Sequence, residues 1–167
     1  MKVEPLFEQQ AAGLGFTHRI RVTHEDLTET TVNTAQTIAL LNVKAGTFVD
    51  RAAMVLVTPF EDASDANFNS NTILVGDGSV TDRYLRSNTD DTGLQVNVNG
   101  TEVLYHVNPV AASTAGLDTA PFMYTADDTI DLVFGSMAAK ALSNLDVGIL
   151  DIYLRVVPLI DHSPLIS

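Results

Sequence analysis

The stretch from Thr72 to Arg86 reads Thr-Ile-Leu-Val-Gly-Asp-Gly-Ser-Val-Thr-Asp-Arg-Tyr-Leu-Arg. Its apolar start, Ile73 to Val75, predicts a short strand. Gly76-Asp77-Gly78 then places two residues without a Cβ around an acid, a composition that permits the positive φ of a tight turn, so the chain is expected to reverse there. Beyond the turn, Asp82 and Arg83 predict a local ion pair. Tyr84 and Leu85 supply an aromatic-aliphatic anchor that pins the loop back on a sheet.

The same strand chemistry extends outward in both directions. Phe16, His18, Ile20 and Val22 alternate with Thr17, Arg19, Arg21 and Thr23, the period-two pattern of a half-buried strand. An apolar run from Thr37 to Val43 ends at Lys44-Ala45-Gly46, and Phe48 to Phe60 follows, with Met54-Val55-Leu56-Val57 at its heart and Pro59 marking an end or an edge. Two strands joined by a short Gly turn is the simplest reading of that pair. Glu61 to Asn71 is polar and predicts an exposed loop. Leu94, Val96 and Val98 alternate with polar residues up to Asn99-Gly100, a hairpin signal, with Thr101 to Val107 as the returning partner. Asn108 to Ala120 is turn-prone. Ile130, Leu132 and Phe134 alternate, as do Leu150, Ile152, Leu154 and Val156 before Pro158. Ser136 to Asn144 holds good helix formers, but at that length a single turn is expected. About eight strands at these spacings predict an antiparallel sandwich, and eight in two sheets is the jelly-roll number. The fold class expected is all-β, an antiparallel jelly-roll-like sandwich with extended terminal arms.

A chain of 167 residues reads as one domain with a sizeable core. Its division is an N-terminal arm from Met1 to Gly15, a sandwich over residues 16–158 and a C-terminal tail over 159–167. With no Cys, disulfides, thiolate metal sites and a cysteine nucleophile are excluded, which suits folding in a reducing cytoplasm. Nine Lys and Arg against twenty-one Asp and Glu leave a net charge of −12, which repels phosphate and disfavours nucleic acid and anionic membranes as partners. Glu4 and Pro5 stand where an export signal needs apolar residues, and no apolar run reaches the ~20 residues of a spanning helix. The hydrophobic share of 46% supplies material for a core and argues against disorder.

No catalytic set is marked out. His18, His24, His106 and His162 are not at metal-ligand spacing from one another, and sheet-face packing explains His18 and His106. There is no Gly-x-Ser-x-Gly elbow or phosphate-binding loop, and nothing in the spacing of the acids selects a glycosidase pair. The expectation is a protein that is not an enzyme and has no cofactor or bound metal. Asp65-Ala66-Asn67-Phe68-Asn69 opens like a calcium loop, but Ser70 replaces the glycine and Gly76 stands at the closing acid, so a turn satisfied by its own backbone is preferred; the same holds for Asp77 and Asp82. Carbohydrate binding wants an exposed aromatic platform, yet there is no Trp, and Tyr84, Tyr105, Tyr124 and Tyr153 lie in or beside strand-like runs where packing accounts for them. The apolar residues of the arms, Leu6, Phe7 and Leu14 at one end and Leu165 and Ile166 at the other, have no core of their own and are the candidate partner-binding residues.

At Gly76-Asp77-Gly78 to Leu85, at the Ala45-Gly46-Thr47 turn and at Tyr124 to Leu132, the chain resembles the capsid decoration, or cement, proteins of tailed bacteriophages, over roughly Thr17 to Val157. The resemblance implies a jelly-roll-type sandwich, a homo-trimer, no catalytic residues, and a place on the outer capsid surface of the virion in contact with the major capsid protein after assembly in the host cytoplasm. A head-fibre, tail or tail-fibre module with host-binding loops is the second reading, and a carbohydrate-binding module the third.

Overall fold

Alternation in the sequence is realised as nine strands among the described residues: β1 (Lys2–Pro5), β2 (His18–Thr23), β3 (Gln36–Val43), β4 (Thr47–Glu61), β5 (Thr72–Asp77), β6 (Leu94–Gln95), β7 (Phe122–Met123), β8 (Asp128–Phe134) and β9 (Val147–Pro158). The structure, a computed structural model, describes residues 1–5, 15–65, 71–85, 94–96 and 121–159. Helix is confined there to two single 3-10 turns, His24–Asp26 and Leu142–Asn144. The first is fixed by a reciprocal cap in which the Asp26 carboxylate accepts from the Thr23 backbone N–H at 2.9 Å.

The strands form two antiparallel sheets, one of five strands in the order β1-β2-β9-β4-β7 and one of four in the order β3-β8-β5-β6. Four of the hydrogen-bonded pairs are nested within one another: β2 with β9, β3 with β8, β4 with β7, and β5 with β6. The chain is therefore one long antiparallel ribbon, closed beyond β5 and β6, whose successive segments fall alternately in one sheet and the other. β1 adds an edge strand beside β2.

Between the sheets lies a single core. Ile20 and Val22 of β2, Met54 and Leu56 of β4, and Leu150, Ile152 and Leu154 of β9 meet Ile73 and Val75 of β5 and Ile130, Leu132 and Phe134 of β8, all with no exposed surface. Across the gap Phe60 and Phe134 stack edge to face, ring centres 5.1 Å apart. Each such side chain contributes about 1.5 to 3 kcal/mol by leaving water. The alternation read in β2, β8 and β9 thus faces one core, as expected of a sandwich.

Several local expectations are corrected. Lys44 to Gly46 does not close a hairpin: β3 pairs with β8 and β4 with β9 and β7, so the turn carries the chain from one sheet to the other, with Gly46 at φ 83°. The physical reason is that Leu40 and Val43 cover the core from one side and Val49 and Met54 from the other. Gly76 and Gly78 do not adopt positive φ. Strand β5 runs on to Asp77, and Gly76 is required because a Cβ there would stand 2.0 Å from the Val80 carbonyl oxygen. Arg83 Nε bonds Asp77, six residues before it. The loop after Glu61 is not simply exposed, since Asp62 and Asn71 are buried. Pro59 lies inside β4, at a register shift between Thr58 and Glu61 where the ladder needs no N–H from it. Within Ser136 to Asn144, a Met137–Lys140 bridge and the second 3-10 turn stand in place of a helix.

Met1 to Gly15, expected as an arm, begins with β1 on the sheet edge. Leu6, Phe7, Leu14, Leu165 and Ile166 lie outside the described residues, as do His106, His162, Tyr105, Asn67, Asn69, the Asn99-Gly100 turn and Thr101 to Val107.

Candidate functional site: a charged sheet face

Polar chemistry inside the fold collects at one end of the core. Asp77, at the end of β5, accepts from the Ser79 and Val80 backbone N–H groups at 3.0 and 2.8 Å and from Arg83 Nε at 2.5 Å. The Arg83 guanidinium stacks 3.7 Å above the Phe122 ring. Tyr84 donates to the Tyr124 hydroxyl at 2.8 Å, and Tyr84 and Leu85 close back on Val75 through backbone bonds. Burial pushes both phenols far above their ordinary pKa; the bond to Tyr124 raises Tyr84 further, while accepting it pulls Tyr124 slightly back. Asp77, Arg83, Tyr84 and Tyr124 are all buried. The network latches the loop after β5 to β7. The anchor read from Tyr84 and Leu85 is present.

His18 is half-buried in β2, its Nδ1 2.8 Å from Thr17 Oγ1, and burial lowers its pKa. Of the loop weighed as a cation site, only Asp65 is among the described residues. Lys140 bonds Asp62 at 2.9 Å and Asp65 at 2.7 Å, and bonds from Ser64 and then Lys140 hold the Asp62 carboxyl down to about 2. Among the described residues no three His, Cys, Asp or Glu side chains converge as metal ligands.

The outer face of the five-stranded sheet is different in kind. Register places its side chains in rows across the strands: Lys2, Arg21, Asp151 and Val55 in one, Glu4, Arg19, Tyr153 and Ala53 in the next, then Arg155 opposite Arg51. Asp151 is 3% exposed although it points away from the core. It accepts from Arg19 Nη2 at 2.7 Å and from Arg21 Nε and Nη2 at 2.8 and 2.9 Å. Burial would raise its pKa, but the bonds from Arg21 and Arg19 outweigh that and lower it. Glu4 joins Lys2 and Arg19, and Asp50, at a bulge in β4, bonds Arg155 at 2.5 Å. Five of the chain's nine cations thus sit on one face against three acids, in a chain of net charge −12. The opposite outer face, on the four-stranded sheet, presents Thr37, Ala39, Asn42, Thr129, Asp131 and Val133 and carries no cation on β3 or β8.

The sequence signals only part of this face. Arg19 and Arg21 are visible as the polar side of an alternating strand, but their union with Asp151 and Arg155 depends on which strands become neighbours.

No protein-family model and no curated protein matches the chain. Two solved structures align with it. A chain of the structure described as "Cyanophage Pam1 capsid asymmetric unit" superposes with a TM-score of 0.50 at 14% identity, covering 83% of this chain and 79% of that one. A chain of the "Acidic stable capsid structure of Helicobacter pylori bacteriophage KHP30" aligns at a TM-score of 0.39 and 11% identity, covering 83% of this chain and 90% of that one. The cyanophage likeness is one of fold.

Proposed function

We propose that this chain is a structural protein of a phage virion, a decoration or cement protein that binds the outer surface of the head as a homo-trimer and contacts the major capsid protein. The observation that carries the reading is the shared fold with a chain of a cyanophage capsid asymmetric unit over 83% of this chain. The nested, sheet-alternating ribbon supports it as a jelly roll, an architecture that recurs in viral capsids. A buried polar network that latches a loop favours a structural role over a catalytic one. Protein that binds the expanded shell and not its dissociated parts stabilises the shell by mass action against internal pressure.

Leu6, Phe7, Leu14, Leu165 and Ile166 are proposed as contacts with neighbouring capsid subunits, because each is worth about 1.5 to 3 kcal/mol if a partner buries it. The test adds pure protein to heads that lack it and reads copies per head and resistance to heat. Because Lys2–Pro5 is a sheet strand, the arm is probed by Leu6→Ser, Phe7→Ser and Leu14→Ser together rather than by deletion. Hundreds of copies per head and raised heat resistance are expected, with occupancy reduced in the triple variant. No binding to heads would refute the cement reading; a few copies at one vertex or on tails would indicate the fibre or tail module. Glycan retention without a virion would indicate the carbohydrate-binding module.

A further inference from the structure

We infer that the free edge of β3 is a docking edge for an extended, basic segment of the shell protein, which adds to the four-stranded sheet as a further strand. The inference deepens the decoration reading above and rests on it. β3 is the end strand of its sheet, and no described strand pairs with it on the far side. Alternation fixes which of its groups are free. The Gly135 N–H bonds the Thr72 carbonyl on the β5 side of β8, so the backbone groups of Phe134 and Leu132 turn to the other side, toward Gln36 and Ile38. The N–H and C=O groups of Thr37 and Ala39 therefore aim outward, and both residues are exposed.

This edge lacks the protection that the other described edges carry. Charged residues, Pro and short length are the usual devices against unwanted strand pairing. β1 has Lys2, Glu4 and Pro5, and β6 and β7 are two residues each. β4 beyond β7 has Asp50, Arg51 and Pro59, and β5 beyond β6 is covered by Tyr84 and Leu85. β3 reads Gln-Thr-Ile-Ala-Leu-Leu-Asn-Val over eight residues, with neither charge nor Pro. Its bulge falls after Ala39, so Gln36 to Ala39 is regular strand.

Charge selects the occupant. Asp131 stands directly across from Ala39 on the outer face, and neither β3 nor β8 carries a cation to pair with it. A residue of an added strand beside Ala39 would lie two strand spacings, about 10 Å, from Asp131. An arginine or lysine there reaches the carboxylate by laying its apolar stem over the Ala39 methyl. A second copy offers no such cation, since pairing two β3 edges would bring one Asp131 toward another between chains of net charge −12. Main-chain bonds to Thr37 and Ala39 thus supply the affinity, and one placed cation the selectivity.

Two variants of the full chain test this on heads that lack the protein. Thr37→Pro removes one outward N–H and leaves the β8 ladder intact, and Asp131→Lys reverses the charge. Glu61→Lys makes the same charge change on the other sheet. Circular dichroism melting confirms that each variant folds. Thr37→Pro and Asp131→Lys are each expected to weaken head binding at least about tenfold, with Glu61→Lys behaving as wild type. A second arm needs no heads: the peptide Thr-Thr-Val-Arg-Val-Thr-Thr, and the same peptide with Glu in place of Arg, are titrated while NMR follows the Thr37 and Ala39 amides. The Arg peptide should shift both amides at a concentration at least about tenfold below the Glu peptide. Heads bound equally by wild type and both variants, or peptides that act alike or leave the two amides unmoved, overturn the inference and leave the virion reading intact. A wild type that ignores heads while the Arg peptide still selects this edge removes the virion reading, and with it the shell as the source of the segment, but not the edge. Self-association of the wild type that Thr37→Pro abolishes would put a second copy on the edge and overturn the assigned occupant.

Discussion

Replacing Asp151 with alanine tests whether the charged face is built around a buried carboxylate. Asp151 is 3% exposed and receives three arginine N–H donors between 2.7 and 2.9 Å. Removing one partner of a fully buried pair costs about 3 to 5 kcal/mol, because a charge is left without compensation. Here the arginine side chains are 28% and 39% exposed and can rehydrate, and Arg19 retains Glu4 at 3.7 Å. The expected loss is therefore about 2 to 3 kcal/mol, or roughly 4 to 12 °C in melting temperature for a domain of this size. Urea unfolding followed by circular dichroism measures it. The pH dependence has a definite sign. Since the folded-state pKa of Asp151 is lowered, its ionised form stabilises fully above the unfolded value of about 3.9 and ceases to do so as pH falls through the folded value. The stability gap between wild type and Asp151→Asn should accordingly be widest at neutral pH and close below about pH 4. An alanine variant within ~0.5 kcal/mol of wild type, the ordinary range for a surface change, would refute the reasoning. So would a gap to Asp151→Asn that does not change between neutral pH and pH 3.

Gly148→Ala should cost about 2 to 4 kcal/mol in the same assay, because Gly148 sits at φ 148° and a Cβ there would lie 2.2 Å from Phe60 Cδ1; a variant that melts with the wild type would contradict it. Tyr84→Phe removes the donor to the Tyr124 hydroxyl inside the core and is expected to lose about 1 to 2 kcal/mol without altering assembly, as read by denaturation and sedimentation. Purified protein should show no hydrolase turnover above buffer, and robust turnover abolished by changing one His or acid would overturn the structural reading.

Strands whose two faces differ were legible from sequence. Ile20 and Val22, Ile130 to Phe134 and Leu150 to Val156 declare their buried side by period alone, and the structure buries them. Strand partnership was not legible in the same way. Lys44-Ala45-Gly46 has the composition of a hairpin turn, and nothing local distinguishes a reversal within a sheet from a crossing between sheets. Gly76 gave the correct residue for the wrong reason: the sequence displays its conformational freedom, but the need is for space beside Val80. Arg83 illustrates the same limit, since adjacency suggested Asp82, while the folded loop brings Asp77 onto its Nε. The charged face was the least legible element. Arg19 and Asp151 are separated by nearly the whole chain, and only the register of β2 on β9 makes them neighbours.

That register also sets the order in which the molecule can be made. β9 lies between β2 and β4 in the five-stranded sheet, yet it follows every other described strand in the chain. While the polypeptide is leaving the ribosome, β2 and β4 have no central strand to pair with, so the larger sheet closes only after Pro158 has emerged. Such non-local pairing is slow, because the β2–β9 contacts close a loop of most of the chain. During that interval the waiting strand edges are open to other nascent chains, and crowding many copies onto one messenger RNA favours their mispairing. Among the described strands, β9 is thus the one on which the larger sheet waits.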